Sequence, residues 1–357
     1  MYGDSYLQPF EYLWRFFSFD FFAFFVDMAC AQPSTSTTVP ANEESELDEV
    51  CAYNNCSGCS MTMRSFSRFY NDEEALLRFF YSHGVLPCHY KCPTCETRLV
   101  KKSQGLFRCR RRIKKKTRRT CDTSVSIYHS SFLACTHLKA VQVAEIVWLY
   151  ITRRPPRHTF MHLETGLSTK TLVDWVSFIR EVLIVWAVNN SQEVGGEGVV
   201  IEIEEATIGK RNDNRECFLR DQWVIGGIEW GTKKFFLMTV EDRDTDTLVS
   251  AIMDKIKPGT TIFSDCWNDY FEDEDFQNLV VNYPLRFMDP GTSTPPQKSG
   301  RMWDEVKQHV PNYGRKNEHY DGYLSECLFM MKHEDHRQRF HEFWKAVAQL
   351  HPGLPHA

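Results

Sequence analysis

Apolar residues change their spacing along this chain, and each change marks a new kind of element. Leu13 to Ala31 is a Phe-rich run that ends in Ala29-Cys30-Ala31. Asp20 and Asp27 interrupt it, no basic cluster precedes it, and it is too short and too charged for a membrane span. It reads either as a signal-like segment or as an apolar extension upstream of a protein starting at Met28. Gln32 to Glu49 is rich in Pro, Ser and Thr and then acidic, the composition of a disordered linker. Asn71-Asp72-Glu73-Glu74 is a helix start, followed by Leu76, Leu77, Phe79 and Phe80 at helical spacing, with a stop near Gly84 and Pro87. Thr136 to Ala187 keeps a helical period, broken at Arg153-Arg154-Pro155-Pro156. Gly166 to Thr171 reads as a turn and an N-cap opening a second helix through Trp175, Phe178 and Ile179. The helix Ser168–Arg180 is either a DNA-recognition helix or a core helix.

From Val199 the period shortens to that of strands. Val199–Glu205, Trp223–Glu229 and Lys234–Glu241 are expected strands, with turns at Gly226-Gly227 and Gly231-Thr232. A helix over Asp246–Ile256 and a strand over Thr260–Ser264 follow, which makes an α/β domain. The resulting division is 1–70 extension and linker, 71–130 helix and cysteine-rich block, 131–195 helical region, 196–345 α/β domain and 346–357 tail.

Composition adds one fact that pattern alone does not. The net charge of -5 does not suggest an anionic partner. The charge is unevenly spread, however: from Cys88 to Cys121 Lys and Arg face a single acid, Glu96. Such a block suggests a module with its own anionic partner. The 13 cysteines include C-x2-C pairs, which fit zinc and a reducing compartment better than disulfides. Cys92 and Cys95 make one metal knuckle, and Cys109 and Cys121 supply the other half of a four-thiolate zinc site. Cys88 is a spare ligand. Cys56 and Cys59 have no second pair nearby and read as free thiols. Arg110, Arg111, Arg112, Lys114, Lys115 and Lys116 form a basic loop between Cys109 and Cys121, suited to DNA phosphates or to nuclear import.

The apolar strand at Val199 carries acid. Glu202 and Glu204 share one face and Glu205 points to the other. The strand Thr261–Ser264 leads to Asp265. Carboxylates brought together from two strands repel unless a cation joins them, and a pair of divalent metals can activate water or a 3′-hydroxyl for attack on a phosphodiester.

These motifs, in this order, resemble the Merlin-type DDE transposases, eukaryotic relatives of the bacterial ISXO-type insertion-sequence enzymes. The likeness runs from about Asp72 to Lys332. It rests on Cys92-Pro-Thr-Cys95, Thr165-Gly-Leu-Ser168, Glu202-Ile-Glu-Glu205, Trp223-Val-Ile-Gly-Gly227, Pro258 to Asp265 with Trp267 and Tyr270, Val281-Asn282 with Phe287, Trp303 with Lys307, and Tyr323-Leu-Ser-Glu326. It implies an α/β RNase H-like catalytic domain preceded by a zinc ribbon and a helix-turn-helix-like region. It also implies DNA as partner, homo-oligomerisation, the nucleus as location, structural Zn2+ and catalytic Mg2+ or Mn2+ held by Glu204 and Asp265. The chain departs from the family at three points. Glu204 stands where the family has Asp, Gly300 stands where it has its third carboxylate, and Tyr283 replaces a His. Glu204 keeps the charge but is longer by one methylene, and a shift of 1 Å costs about 100-fold in rate. Asp304, one turn beyond Gly300, is the candidate substitute, displaced about 6 Å along the axis. The implied function is that of a transposase-derived protein with impaired catalysis. The alternatives are a non-enzymatic zinc-ribbon DNA-binding protein and a decaying element copy.

Overall fold

The computed structural model describes residues 56–351 except 88, 93, 103–104, 115–118, 135, 192, 209–221, 233, 242–243, 265–279, 283–297 and 311–318. A short helix α1 (Met63–Phe66) and a 3-10 turn (Ser67–Tyr70) lead into α2 (Glu73–Ser82). Asp72 caps α2 by accepting from the Ala75 N–H at 2.9 Å, and Glu73 and Glu74 fill its first turn, where the helix N-terminus favours acid. Its buried stripe is Leu76, Leu77, Phe80 and Tyr81, with Phe79 packed alongside.

The segment ahead of α2 packs into the same core as α2. Met61, Phe66 and Phe69 are buried, and the Phe66 ring stacks on Trp148 with centroids 5.5 Å apart. The core therefore begins before the cap that marked its start in the sequence.

The cysteine-rich block is a small antiparallel sheet. β1 (His89–Lys91), β2 (Arg98–Lys102) and β3 (Leu106–Arg108) lie side by side. β4 (Arg112–Lys114) and β5 (Arg119–Thr120) form a two-stranded ribbon of their own. β6 (Ser124–Ser126) then pairs with β3, giving the order β1-β2-β3-β6.

Three helices follow: α3 (Ala140–Thr152), α4 (His158–Thr165) and α5 (Thr169–Asn190). α4 ends on Gly166 at φ 66°, a left-handed position that glycine takes without strain. Ser168 opens α5 by accepting from the Thr171 N–H at 3.1 Å. Trp175 and Ile179 are buried and Phe178 packs against the same core. These three side chains take the core reading rather than the DNA-reading one.

The second half is built on a five-stranded mixed sheet. Its strands are β8 (Val200–Ile208), β9 (Gln222–Glu229), β10 (Phe235–Val240), β12 (Thr261–Phe263) and β13 (Val280–Asn282), in the order β10-β9-β8-β12-β13. β8, β9 and β10 form an antiparallel meander, and β12 runs parallel to both β8 and β13. A parallel two-residue pair, β7 (Val194–Gly195) with β11 (Ile256–Lys257), lies outside this sheet. The mixed α/β class read from the sequence is what the chain adopts.

Gly226 and Gly227, expected in a turn, stand inside β9. A Cβ on Gly227 would come within 2.2 Å of Phe236 Cε1, and one on Gly226 within 2.6 Å of Met302 Cε. Here glycine supplies room for neighbouring side chains rather than a turn.

One sheet face packs on α6 (Thr245–Lys255), with Ile201, Ile203, Ile225, Leu248 and Ile252 in the shared core. The other face packs on α7 (Lys298–His309) and α8 (Tyr320–Lys332), through Val224, Leu237, Trp303, Val306 and Leu324. The last helix, α9 (Arg339–Leu350), returns to the first core, where Phe340, Phe343, Trp344 and Val347 are buried. Residues 346–350, expected in a tail, complete this helix, because Ala346 and Val347 are needed for its apolar face.

A buried ion pair ties the helical region to α8. Glu326 is fully buried and Arg157 Nη2 reaches its Oε2 at 2.7 Å. The Tyr150 hydroxyl donates to the same carboxylate oxygen, and Arg180 Nε donates to the Tyr150 oxygen at 3.0 Å. The Arg157 guanidinium also lies 3.5 Å from the Tyr150 ring centroid. Burial raises the Glu326 pKa, but Arg157, Arg180, His309 and the Tyr150 hydrogen bond outweigh it and hold the carboxyl below its ordinary 4.5.

Replacing Glu326 with Gln strands the Arg157 charge in the core. The expected loss of stability is about 3–5 kcal/mol, read from the denaturant midpoint at neutral pH. Because the folded pKa lies below the unfolded one, the Glu326 contribution is complete above about 4.5 and is lost as pH falls through the folded value. Glu326→Gln should therefore flatten the acid limb of the stability profile below that pH.

Candidate functional site

The acidic face is assembled on β8. Glu202 is buried and Glu204 half-buried. Their registers with Ile228 and Gly226 put both on the face covered by α7 and α8. Glu205 registers with Ile225, whose side chain belongs to the opposite core. The alternation expected from a strand is thus observed. On the parallel side Phe263 of β12 stands opposite both Glu202 of β8 and Asn282 of β13. Asp265, the second carboxylate of the sequence reading, lies outside the described residues, as does Tyr283.

α7 closes over this face. A Cβ on Gly226, the residue paired with Glu204, would lie 2.6 Å from Met302 Cε and 3.3 Å from Trp303 Cζ2. Gly300 stands one turn earlier on the same helix. Asp304 is exposed, whereas its neighbours Met302, Trp303 and Val306 are buried. Among the described residues, no carboxylate cluster brings three or more potential ligands together on this face. The described acids therefore do not by themselves make a site for Mg2+ or Mn2+, which needs several hard oxygen donors around one point.

The cysteines do converge. The sulfurs of Cys92, Cys95, Cys109 and Cys121 all lie within 4.8 Å of one another. Cys92 and Cys121 are 3.5 Å apart, and Cys95 and Cys109 are 3.4 Å apart. A tetrahedron with Zn–S bonds of ~2.3 Å has edges of about 3.8 Å, so the spacing fits a structural zinc ion. Cys92 opens the turn between β1 and β2: its N–H donates to the Thr97 carbonyl, and the Glu96 N–H donates to its carbonyl. Cys109 and Cys121 flank the β4–β5 ribbon, with the Cys121 N–H donating to the Arg111 carbonyl at 2.7 Å.

The thiols do not titrate alike. Burial raises Cys92, but hydrogen bonds from Thr94, Cys121, Cys95 and Thr123 outweigh it and hold it at about 6. At Cys109 a backbone bond from Arg111 acts downward, but burial and the sulfurs of Cys95, Cys121 and Cys92 push the thiol up to about 12. Crowded thiols cannot all ionise unless a cation joins them.

The basic loop sits beside these cysteines. Arg110 and Arg111 are exposed, and Arg111 Nη1 donates to the Thr97 hydroxyl at 2.8 Å. Arg112 and Lys114 stand on β4. Lys115, Lys116 and the spare cysteine Cys88 lie outside the described residues.

A second cluster was missed by sequence reasoning. Cys56 and Cys59, read as free thiols, converge with His83 and His341 within 4.8 Å. The two histidines come from the C-terminal end of α2 and from α9, so no local spacing announces them. The only signal was the C-x2-C itself.

No protein-family model matches the chain. A curated relative is an uncharacterized transposase-like protein of Haemophilus influenzae, 25% identical over 97 residues, which are 26% of this chain and 77% of the relative. Among solved structures the chain matches one in the cryoEM structure of the simian T-cell lymphotropic virus intasome in complex with PP2A regulatory subunit B56 gamma. The match has 14% identity, covers 56% of this chain and 76% of that one, and has a TM-score of 0.25. A match at that score assigns no fold.

Cys109→Ser removes one of four thiolates. It is expected to lower the zinc content of the purified full-length protein by about one equivalent, measured by elemental analysis, because three-sulfur sites lose affinity steeply.

Proposed function

We propose that the protein derives from a Merlin-type DDE transposase and binds DNA while its strand-cleaving chemistry is impaired. The observation that carries this reading is the packing of α7 on the Glu202–Glu204 face, with a glycine at 300 where the resemblance calls for a carboxylate. The strand order supports an RNase H-like domain: an antiparallel meander ends on β8, and two parallel strands extend the sheet from there. The parallel register puts the carboxyl end of β12 beside the part of β8 that carries the acids. That is where metal ligands would be drawn from two strands, with Glu204 and Asp265 in those roles. The name of the Haemophilus relative points the same way.

Mg2+ or Mn2+ bound there would polarise a phosphodiester and activate the attacking oxygen. With Gly300 supplying no ligand and Asp304 exposed, the described residues offer fewer donors than that chemistry requires. DNA binding is assigned to the other end of the molecule. The four-cysteine sheet reads as a zinc ribbon; Arg110, Arg111, Arg112 and Lys114 lie on or next to the β4–β5 ribbon, and Lys115 and Lys116 follow Lys114 in the sequence. The pair α4–α5, joined through Gly166, fits a helix-turn-helix-like arrangement whose exposed face includes Lys170, Val173 and Asp174. The division into ribbon, helical region and α/β domain, self-association, and action in the nucleus belong to the same proposal. Among the described residues no helix is long and apolar enough to cross a membrane.

The test is a cleavage assay in Mg2+ or Mn2+ on DNA carrying terminal inverted repeats. The expected result is no metal-dependent nicking above background. Robust nicking abolished by Asp265→Ala would overturn the impairment. DNA affinity should fall with salt, and neutralising the six basic-loop residues should flatten that dependence by about 0.9 log units of slope for each phosphate they no longer neutralise. An unchanged slope would put the DNA-binding surface elsewhere.

A further inference from the structure

The cluster of Cys56, Cys59, His83 and His341 is separate from both sites described above. Cys59 Sγ lies 3.5 Å from His83 Nε2 and 3.5 Å from His341 Nδ1. The two ring nitrogens are 2.9 Å apart. In a tetrahedral site with Zn–S of ~2.3 Å and Zn–N of ~2.0 Å, sulfur–nitrogen edges come to about 3.5 Å and nitrogen–nitrogen edges to about 3.3 Å. The arrangement is therefore close to the ligand geometry of zinc before any ion is added.

The orientation of His83 is fixed from behind. Its Nδ1 faces the Phe79 carbonyl at 2.7 Å, which can only accept, so Nδ1 carries the hydrogen. Nε2 then points its lone pair into the cluster. A ligand histidine held by a carbonyl on its other nitrogen is the usual support of a metal site. The Phe79 ring stacks on the same imidazole at 3.9 Å. His83 and His341 are both buried, at 5% and 2% exposure, while Cys56 and Cys59 stand at the edge of the site. An ion could thus enter past the thiols.

We propose that these four residues form a second structural zinc site, of Cys2His2 type, which clips the start of the described chain to its last helix. Two thiols release their protons to solvent on binding, so Zn2+ and two thiolates leave the buried site neutral. The clip joins three elements: the segment before α1, the C-terminal end of α2, and the first turn of α9. The backbone meets at the same places: the Cys56 N–H donates to Ser82 O at 3.2 Å, and the Met61 N–H donates to O of Arg337, two residues before α9, at 2.7 Å. The competing reading is a metal-free hydrogen bond between the two imidazoles.

The experiment is zinc K-edge absorption and elemental analysis on the full-length protein. The expected result is about two zinc per chain with an average of about three sulfurs and one nitrogen around each. This measurement needs no variant and is immune to folding defects. Cys59→Ser and His341→Ala should each remove one equivalent and leave an all-sulfur spectrum, while Cys109→Ser should leave the mixed sulfur–nitrogen one. Wild-type protein with an all-sulfur spectrum, or zinc content unchanged in Cys59→Ser and His341→Ala, overturns the proposal. If Cys109→Ser leaves zinc content unchanged while those two variants lower it, the four-cysteine site fails and this one stands.

Discussion

The carboxylate of Glu326 is the constraint on which the arrangement of the rest depends. Taking an ionised carboxylate out of water costs several kcal/mol, and removal of its partner leaves that cost uncompensated. Here the compensation comes chiefly from the helical region: Arg157 follows the break after α3, Tyr150 is on α3, and Arg180 is on α5. α8 can bury Glu326 only where those three residues are. Tyr320 donates to Ile208 O at 3.1 Å and Thr239 to Asp321 at 2.9 Å, so the same helix is also held to β8 and β10. One helix thereby fixes the position of the sheet against the helical region, and with it the layer that covers Glu202 and Glu204.

That layer gives the acidic strand its meaning. Acids in an apolar strand suggest metal chemistry wherever they occur, because burial is expensive without a cation. What α7 brings to their face is Met302 and Trp303, with Gly300 one turn earlier in the same helix. Packing is satisfied there by apolar atoms and by the missing side chain of Gly226. Under this layer Glu202 is buried and Glu204 half-buried. At the opposite end of the chain the donors are complete: four sulfurs converge beside a basic ribbon.

Much of the fold was legible because its elements carry local signals. The Asp72 cap, the Gly166–Ser168 junction and the alternation Ile201-Glu202-Ile203-Glu204 each state their structure within a few residues, since caps, left-handed glycines and strand period are short-range effects. The Cys92–Cys95 knuckle and its partners were legible for the same reason. Gly226-Gly227 misled, because glycine is used both for turns and for close packing, and only Phe236 and Met302 reveal which. The burial of the segment before α2 and the helix over residues 346–350 carry no such local signal, because α1 and α9 find apolar partners far away in sequence, as where Phe66 packs edge-on against Phe340.

By itself the sequence determined most element types, the grouping of Cys92, Cys95, Cys109 and Cys121, the basic block and the acids of β8, all of which follow from residue type at short spacing. Tertiary structure alone decided which of Trp175, Phe178 and Ile179 face inward, which partner Glu326 has, and what stands over Glu204. It also decided that Cys56 and Cys59 meet His83 and His341, with a separation of 282 positions between Cys59 and His341. No periodicity spans such a distance. Only the burial of α9 against α2 brings those side chains within bonding reach.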